Sequence, residues 1–176
     1  MNLLMNVLEF RPFQGFKRGL VAAILQESYA ALLAQLPADK ADELCRDWNE
    51  YDEGVHDEPD TVGASGFITQ LDEATIGFGS WDPRGRPRIG CIGHNCILPA
   101  FRNCGYGRRQ IDHILDLFRG RNFERAQVRT DEHPFFEPAR RMYERCGFRF
   151  VKREPGTLSP GLDMLVYERP ILPAGD

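Results

Sequence analysis

The sequence predicts an α/β protein, a mixed sheet with helices on both faces. Three observations carry that prediction. Between residues 66 and 98, short apolar runs follow one another with only turn residues between them, as strands in series do. After residue 98, apolar residues at helical spacing alternate with short apolar runs in the order β-α-β-α-β-β. The first of these helices is entered from a strand through the stretch Pro99-Ala100-Phe101-Arg102-Asn103-Cys104-Gly105-Tyr106-Gly107.

Residues 5 to 13 read as a first strand, closed by Arg11-Pro12-Phe13. Gly15 leads into a helix over residues 16–35, with Val21, Ile24, Leu25, Ser28 and Leu32 on one face. A second helix follows Pro37-Ala38-Asp39, and Ala41, Leu44, Cys45, Trp48 and Tyr51 form its buried stripe. Its end runs into a stretch carrying Asp52, Glu53, Asp57, Glu58 and Asp60. These carboxylates read either as a solvated loop or as a wall that attracts a cationic substrate. Residues 66–71 and 75–81 read as strands joined by the turn Asp72-Glu73-Ala74, and residues 82–87 as a loop. Trp81 stands either in the core or on the wall of a cleft.

Residues 89–98 form a long strand interrupted by Gly90 and Gly93, and glycine inside a strand signals a bulge or a close backbone approach. A helix from Gly107 to Arg119 carries Ile111, Ile114, Leu115 and Phe118 on one face, with Gly120 as its cap. Residues 125–130 are a strand, and Pro138 sits in the first turn of a helix whose buried face is Ala139, Met142, Tyr143 and Cys146. Gly147 ends that helix. Residues 148–152 and 164–167 are the last strands.

A chain of 176 residues suits one domain, residues 1–176, with a substantial core. A net charge of −4 argues against general nucleic-acid binding. No apolar stretch is long enough to span a membrane, and the apolar part of the N-terminus is too short for a signal peptide. The five cysteines are odd in number and include no C-x-x-C pair, which argues against a disulfide framework or a zinc site. Reduced thiols in a cytoplasmic protein are expected, with no metal.

A strand that turns through glycines into a helix presents unpaired backbone N–H groups at the positive end of the helix dipole, which suits phosphate. Such a turn can equally be steric. A dinucleotide fold wants G-x-G-x-x-G after a first strand, but Gln110 stands at the third glycine and the strand comes late in the chain.

Arg102-Asn103-Cys104-Gly105-Tyr106-Gly107, with Pro99 three residues ahead, resembles the acetyl-CoA-binding motif of the GNAT superfamily of N-acetyltransferases, Arg/Gln-x-x-Gly-x-Gly/Ala. Ala139-Arg140-Arg141-Met142-Tyr143-Glu144-Arg145-Cys146-Gly147-Phe148 resembles the second signature of that superfamily, Ala-x-x-x-Tyr-Glu-x-x-Gly-Phe. The two lie one helix and one strand apart, as in the family.

The resemblance implies a mostly antiparallel central sheet and acetyl-CoA as co-substrate. It also implies direct attack of a primary amine, on a small molecule or a peptide, upon the thioester. Cys96, Ile97 and Leu98 would contact the cofactor through a bulged fourth strand. Arg102, Asn103, Cys104, Gly105, Tyr106, Gly107 and Arg108 would form the pyrophosphate turn. Tyr143 matches the usual general acid, beside the bland reading of a core tyrosine. The position of a common fourth-strand base is Cys91, a poor candidate. His94, three residues along, is in the right pKa range, but strict alternation turns it to the opposite face unless a bulge intervenes. Asp131, Glu132 and His133 are further candidates.

Two positions depart from the family pattern: Asn103, where glycine is common, and Phe136, where asparagine is common. The missing carboxylate base keeps a second reading open, an acyl-CoA-binding sensor on the same fold. The acceptor and the oligomeric state, a homodimer included, are not set by the sequence.

Overall fold

The computed structural model describes residues 7–84 and 88–172. Seven strands form one sheet: β1 (Leu8–Pro12), β2 (Gly66–Leu71), β3 (Ala74–Trp81), β4 (Ile89–Ile97), β5 (Arg125–Asp131), β6 (Arg149–Pro155) and β7 (Asp163–Pro170). Their order is β1-β2-β3-β4-β5-β7-β6. Among the described residues only β4 and β5 pair in parallel; the other five pairings are antiparallel. The mixed, mostly antiparallel sheet is therefore as expected.

The helices are α1 (Leu20–Ser28), α2 (Ala30–Leu33), α3 (Ala38–Asp57), α4 (Tyr106–Gly120) and α5 (Glu137–Arg145). Ile111, Ile114, Leu115 and Phe118 of α4 and Tyr143 of α5 pack on one face of the sheet, against Ile92, Val128 and Phe148. Val21, Ile24 and Leu25 of α1 and Trp48 and Val55 of α3 pack on the other, against Ile68, Phe78 and Cys96. Helices cover both faces because the apolar stripes of all four are too wide to be left in water.

Several boundaries differ from expectation for identifiable reasons. The first helix begins only at Leu20, because Gly15 and Gly19 both adopt positive φ, and it breaks at Tyr29, whose ψ of 11° leaves the helical range. Most of the acidic stretch is helix, since α3 continues to Asp57; only Glu58 and Asp60 lie beyond it. Asp52 is buried on the inner face of α3, where its carboxylate accepts the N–H groups of Gly19 (2.7 Å), Val21 (2.8 Å) and Ala22 (3.2 Å). It caps α1 from a distance, answering donors that a helix start leaves unpaired. Gly120 lies inside α4, and the left-handed residue after that helix is Asn122. Gly147 does end α5: it sits at φ 85° and the Phe148 N–H returns to the Tyr143 carbonyl at 3.0 Å. Residues 5 and 6 of the expected first strand and residues 85–87 of the expected loop lie outside the described residues.

Candidate active site

The parallel pairing of β4 with β5 runs from Ile89↔Arg125 to Ile92↔Val128 and stops there. β5 stays with β7 as far as Asp131↔Met164, so the two central strands part. On its other edge β4 slips against β3: Gly79 faces Asn95, but Trp81 faces Ile92, one residue off register. The extra residue is the bulge expected near Gly93. The Ser80 hydroxyl oxygen accepts the His94 N–H at 2.9 Å and holds the bulge in place. The Leu98 N–H donates to the Ile76 carbonyl of β3 at 2.8 Å. Alternation then turns the N–H groups of Asn95 and Ile97 towards the gap.

A groove of about 580 Å³ fills the gap and reaches the turn between β4 and α4. In that turn Asn103 (φ 62°) and Gly105 (φ 82°) are both left-handed. Asparagine tolerates that region better than most side chains, which accounts for it at a position where glycine is common in the family. The following N–H groups stand at the open N-terminus of α4, and no side chain caps it. At Gly107 a Cβ would lie 3.1 Å from Met142 Sδ, so glycine keeps α4 close against α5. The Arg102 guanidinium turns inward: Nε donates to the Ile97 carbonyl at 3.0 Å and Nη2 to the Ser28 carbonyl. It ties the end of β4 to the end of α1.

A second cavity, about 640 Å³, opens on the α3 side of β4. His94, Cys91, Tyr51, Gln127, Arg129 and Glu58 are among its walls. Because of the bulge, Cys91 and His94 face this same cavity, although strict alternation would separate them. The His94 ring lies 5.0 Å from Tyr51 and 5.9 Å from Phe78. Burial in these surroundings pushes its imidazole down to about 4, so it is neutral at pH 7. Burial likewise raises the Tyr51 phenol to about 12.

Tyr143 is 5% exposed, on the inner side of α5. Burial raises its phenol, and the neighbouring Cys146 and Cys96 add to the effect. Tyr29 is raised mainly by burial, then by Cys96 and Tyr143, with Arg102 opposing. Tyr29, Cys96 and Arg102 line the groove; Tyr143 is not on its wall, but Met142, which precedes it in α5, is. The Tyr29 ring stacks on Trp48 at 5.4 Å and meets Phe135 at 5.6 Å and Phe136 at 6.0 Å.

The model of the acetyltransferase (GNAT) family matches residues 24–148, which contain the parted strands, the glycine turn and the Tyr143 helix. The chain belongs to the GNAT acetyltransferase family. Among solved structures it resembles a GNAT-family protein from Desulfovibrio desulfuricans, with a TM-score of 0.71 and 16% identity over 96% of this chain and 100% of that one. Ard1 from Thermoplasma volcanium gives 0.68 and 15%, over 95% and 98%. A protein from Bacillus anthracis described as a streptothricin acetyltransferase, solved in complex with acetyl coenzyme A, gives 0.54 and 17%, over 60% and 61%. At such identities these likenesses speak for the GNAT fold. Among curated proteins none matches the sequence.

Within this GNAT chain, the residues named from the sequence do not all come to one place. Cys96, Ile97, Arg102, Asn103, Gly105, Tyr106, Gly107 and Arg108 line the groove. Cys104 is exposed at the turn, its Sγ 3.4 Å from the Arg102 carbonyl oxygen. Leu98 packs with the α1–α3 side. His94 opens on the second cavity. Asp131, Glu132 and His133 line neither space. Asp131 Oδ1 accepts the His133 N–H at 2.7 Å, the His133 ring accepts the Phe135 N–H at 3.1 Å, and Glu132 pairs with Arg153.

Of the five acidic residues, Glu58 alone lines the cavity. Asp52 caps α1 and Asp57 pairs with Arg18. Trp81 is buried against Phe118, 6.5 Å between rings, and also edges the second cavity. Tyr29 and Asn95 escaped the sequence reading. Nothing in the pattern of apolar residues marks the break at Tyr29, since no proline or glycine stands there.

Proposed function

We propose that the protein transfers acetyl from acetyl-CoA to a primary amine of a small molecule or peptide, and that the groove and the second cavity hold the two reactants. The observation that carries this is their meeting across β4: Asn95, Cys96 and Ile97 line the groove while His94, next in the chain, lines the cavity. The pyrophosphate is held by N–H groups from Asn103 to Arg108. The pantetheine arm runs down the gap beside Ile97. The thioester reaches the deep end, where the gap-facing N–H groups of Asn95 and Ile97 stabilise the developing oxyanion.

The amine enters from the second cavity and its nitrogen attacks the carbonyl carbon. As the C–N bond forms the nitrogen becomes far more acidic, and neutral His94 accepts its proton. The C–S bond then breaks, and Tyr143, kept protonated by its raised pKa, donates a proton to the leaving thiolate. For a cationic acceptor the cavity wall offers Glu58 and Asp82, the latter paired with Arg84, while Arg84 and Arg129 line the same wall and oppose it.

The test is free-thiol release from acetyl-CoA against polyamines, amino acids, aminoglycosides and lysine peptides, with Tyr143→Phe beside the wild type. Amine-dependent release that collapses in the variant supports the transferase and its acid. Tight acetyl-CoA binding without release from any amine would overturn it in favour of the sensor.

A further inference from the structure

Gln110 is fully buried on the inner face of α4, as is Thr69 on β2. An uncharged amide in that position needs every polar atom answered. Its Nε2 donates to Thr69 Oγ1 at 2.7 Å and to the Cys96 carbonyl at 3.3 Å. Its Oε1 accepts from Asn95 Nδ2 at 2.8 Å. The direction of this chain is not free. A hydroxyl can give or take, but a carbonyl oxygen only accepts. The Cys96 carbonyl therefore fixes which end of Gln110 faces it, and Gln110 fixes which end of Asn95 faces Gln110. Reversing Gln110 would set two oxygens against each other in a dry site.

The consequence appears on the groove side. Asn95 lines the groove and gives its Nδ2 to Gln110, so a bond from its side chain to a ligand there would be one accepted by Oδ1. At one residue the deep end then offers a donor, the main-chain N–H, and an acceptor, the side-chain oxygen. The reacting end of an acyl-CoA carries the complementary pair, a thioester carbonyl and, two carbons beyond the sulfur, an amide N–H. We propose that Asn95 Oδ1 accepts a hydrogen bond from the pantetheine amide N–H nearest the sulfur, and that Gln110 is the positioning residue that sets this polarity. The inference rests on the acetyl-CoA reading above.

The test compares calorimetric binding of CoA with that of a CoA analogue in which this N–H is replaced by an ester oxygen. The wild type should bind the analogue about 3- to 10-fold more weakly, as for the loss of one neutral hydrogen bond. Asn95→Ala should bind the two about equally. Gln110→Leu, an apolar replacement that frees Asn95 to turn over, should shrink the ratio without abolishing CoA binding, and thermal melts confirm that both variants fold. Equal binding of the two ligands by the wild type overturns the proposal and leaves the cofactor reading intact. So does an undiminished ratio in Asn95→Ala, which would assign the N–H to another group. Failure of the wild type to bind CoA at all overturns the cofactor reading as well.

Discussion

Removing the Asp52 carboxylate should loosen α1 and, through it, the inner wall of the groove. Asp52→Ala leaves the N–H groups of Gly19, Val21 and Ala22 without the acceptor they now share, at 2.7, 2.8 and 3.2 Å. Asp52 and Ala22 are buried, so water replaces those bonds poorly. Bonds to a charged group contribute about 1.5–3 kcal/mol each, and loss of a cap alone costs about 0.5–2 kcal/mol. The three donors share one carboxylate and are not additive, so we expect a loss of about 3 kcal/mol. For a chain of this length that lowers Tm by about 6–12 °C. Asp52→Asn keeps one oxygen, enough for Val21 and Ala22, but turns an NH₂ towards the Gly19 N–H. It should lose roughly half as much.

Differential scanning calorimetry of the three proteins decides the matter. The carbonyl of Ser28 at the end of α1 anchors Arg102, and Tyr29 follows it, so acetyl-CoA KM should rise in the same order as Tm falls. A Tm for Asp52→Ala within 2 °C of the wild type, well below the expected shift of about 6–12 °C, would refute the assignment. So would an Asn variant as damaged as the Ala variant, since that would mean the two oxygens do not have separate tasks.

Tyr143→Phe should lower kcat about 100-fold, the lower end for general acid catalysis, with acetyl-CoA KM changed less than threefold; steady-state kinetics on the best amine measures both. His94 has its pKa depressed to about 4, so the folded chain refuses a proton that the unfolded chain takes near 6.5. Its contribution is complete above about pH 6.5 and is lost as pH falls towards 4, about 2 kcal/mol by pH 4.5. Urea denaturation at pH 7 and 4.5 should show a smaller drop in His94→Gln, and equal drops would refute the burial argument. Asn103→Val should cost about 1–2 kcal/mol because a β-branched side chain is forced to φ 62°, whereas Asn103→Gly should be neutral or slightly stabilising in the same unfolding measurement.

The strands and helices were legible wherever local pattern and burial agree. The stripe of Ile111, Ile114, Leu115 and Phe118 specifies α4, and Gly147 marks the end of α5. The acidic stretch misled as far as Asp57 because its charges read as loop, yet Val55 and Asp52 keep one side of that stretch buried. The glycine turn was legible because the left-handed backbone at Asn103 and Gly105 is supplied by only a few residue types. His94 was readable only conditionally: its face depends on a register slip against β3, which is a property of two strands. Tyr29, Asn95 and Gln110 were not readable at all as parts of a site. Tyr29 reaches the groove from the break after α1 and Asn95 from β4, with Gln110 of α4 bonded behind Asn95, and no spacing along the chain records that meeting.

The parting of β4 and β5 has a further consequence. A sheet opened at its middle leaves two inner edges whose polar groups ask for a partner, the condition that elsewhere invites a foreign strand. An extended arm with amides at intervals is chemically a short strand, so the co-substrate can be read as the sheet's eighth member. Occupancy then becomes part of the fold's cohesion. A hundredfold excess of ligand over Kd adds about 2.7 kcal/mol, enough to conceal most of the damage expected from Asp52→Ala. In a cell rich in acyl-CoA, variants at the inner edges would be tolerated that the empty protein could not carry, and the reserve would vanish when the co-substrate ran low.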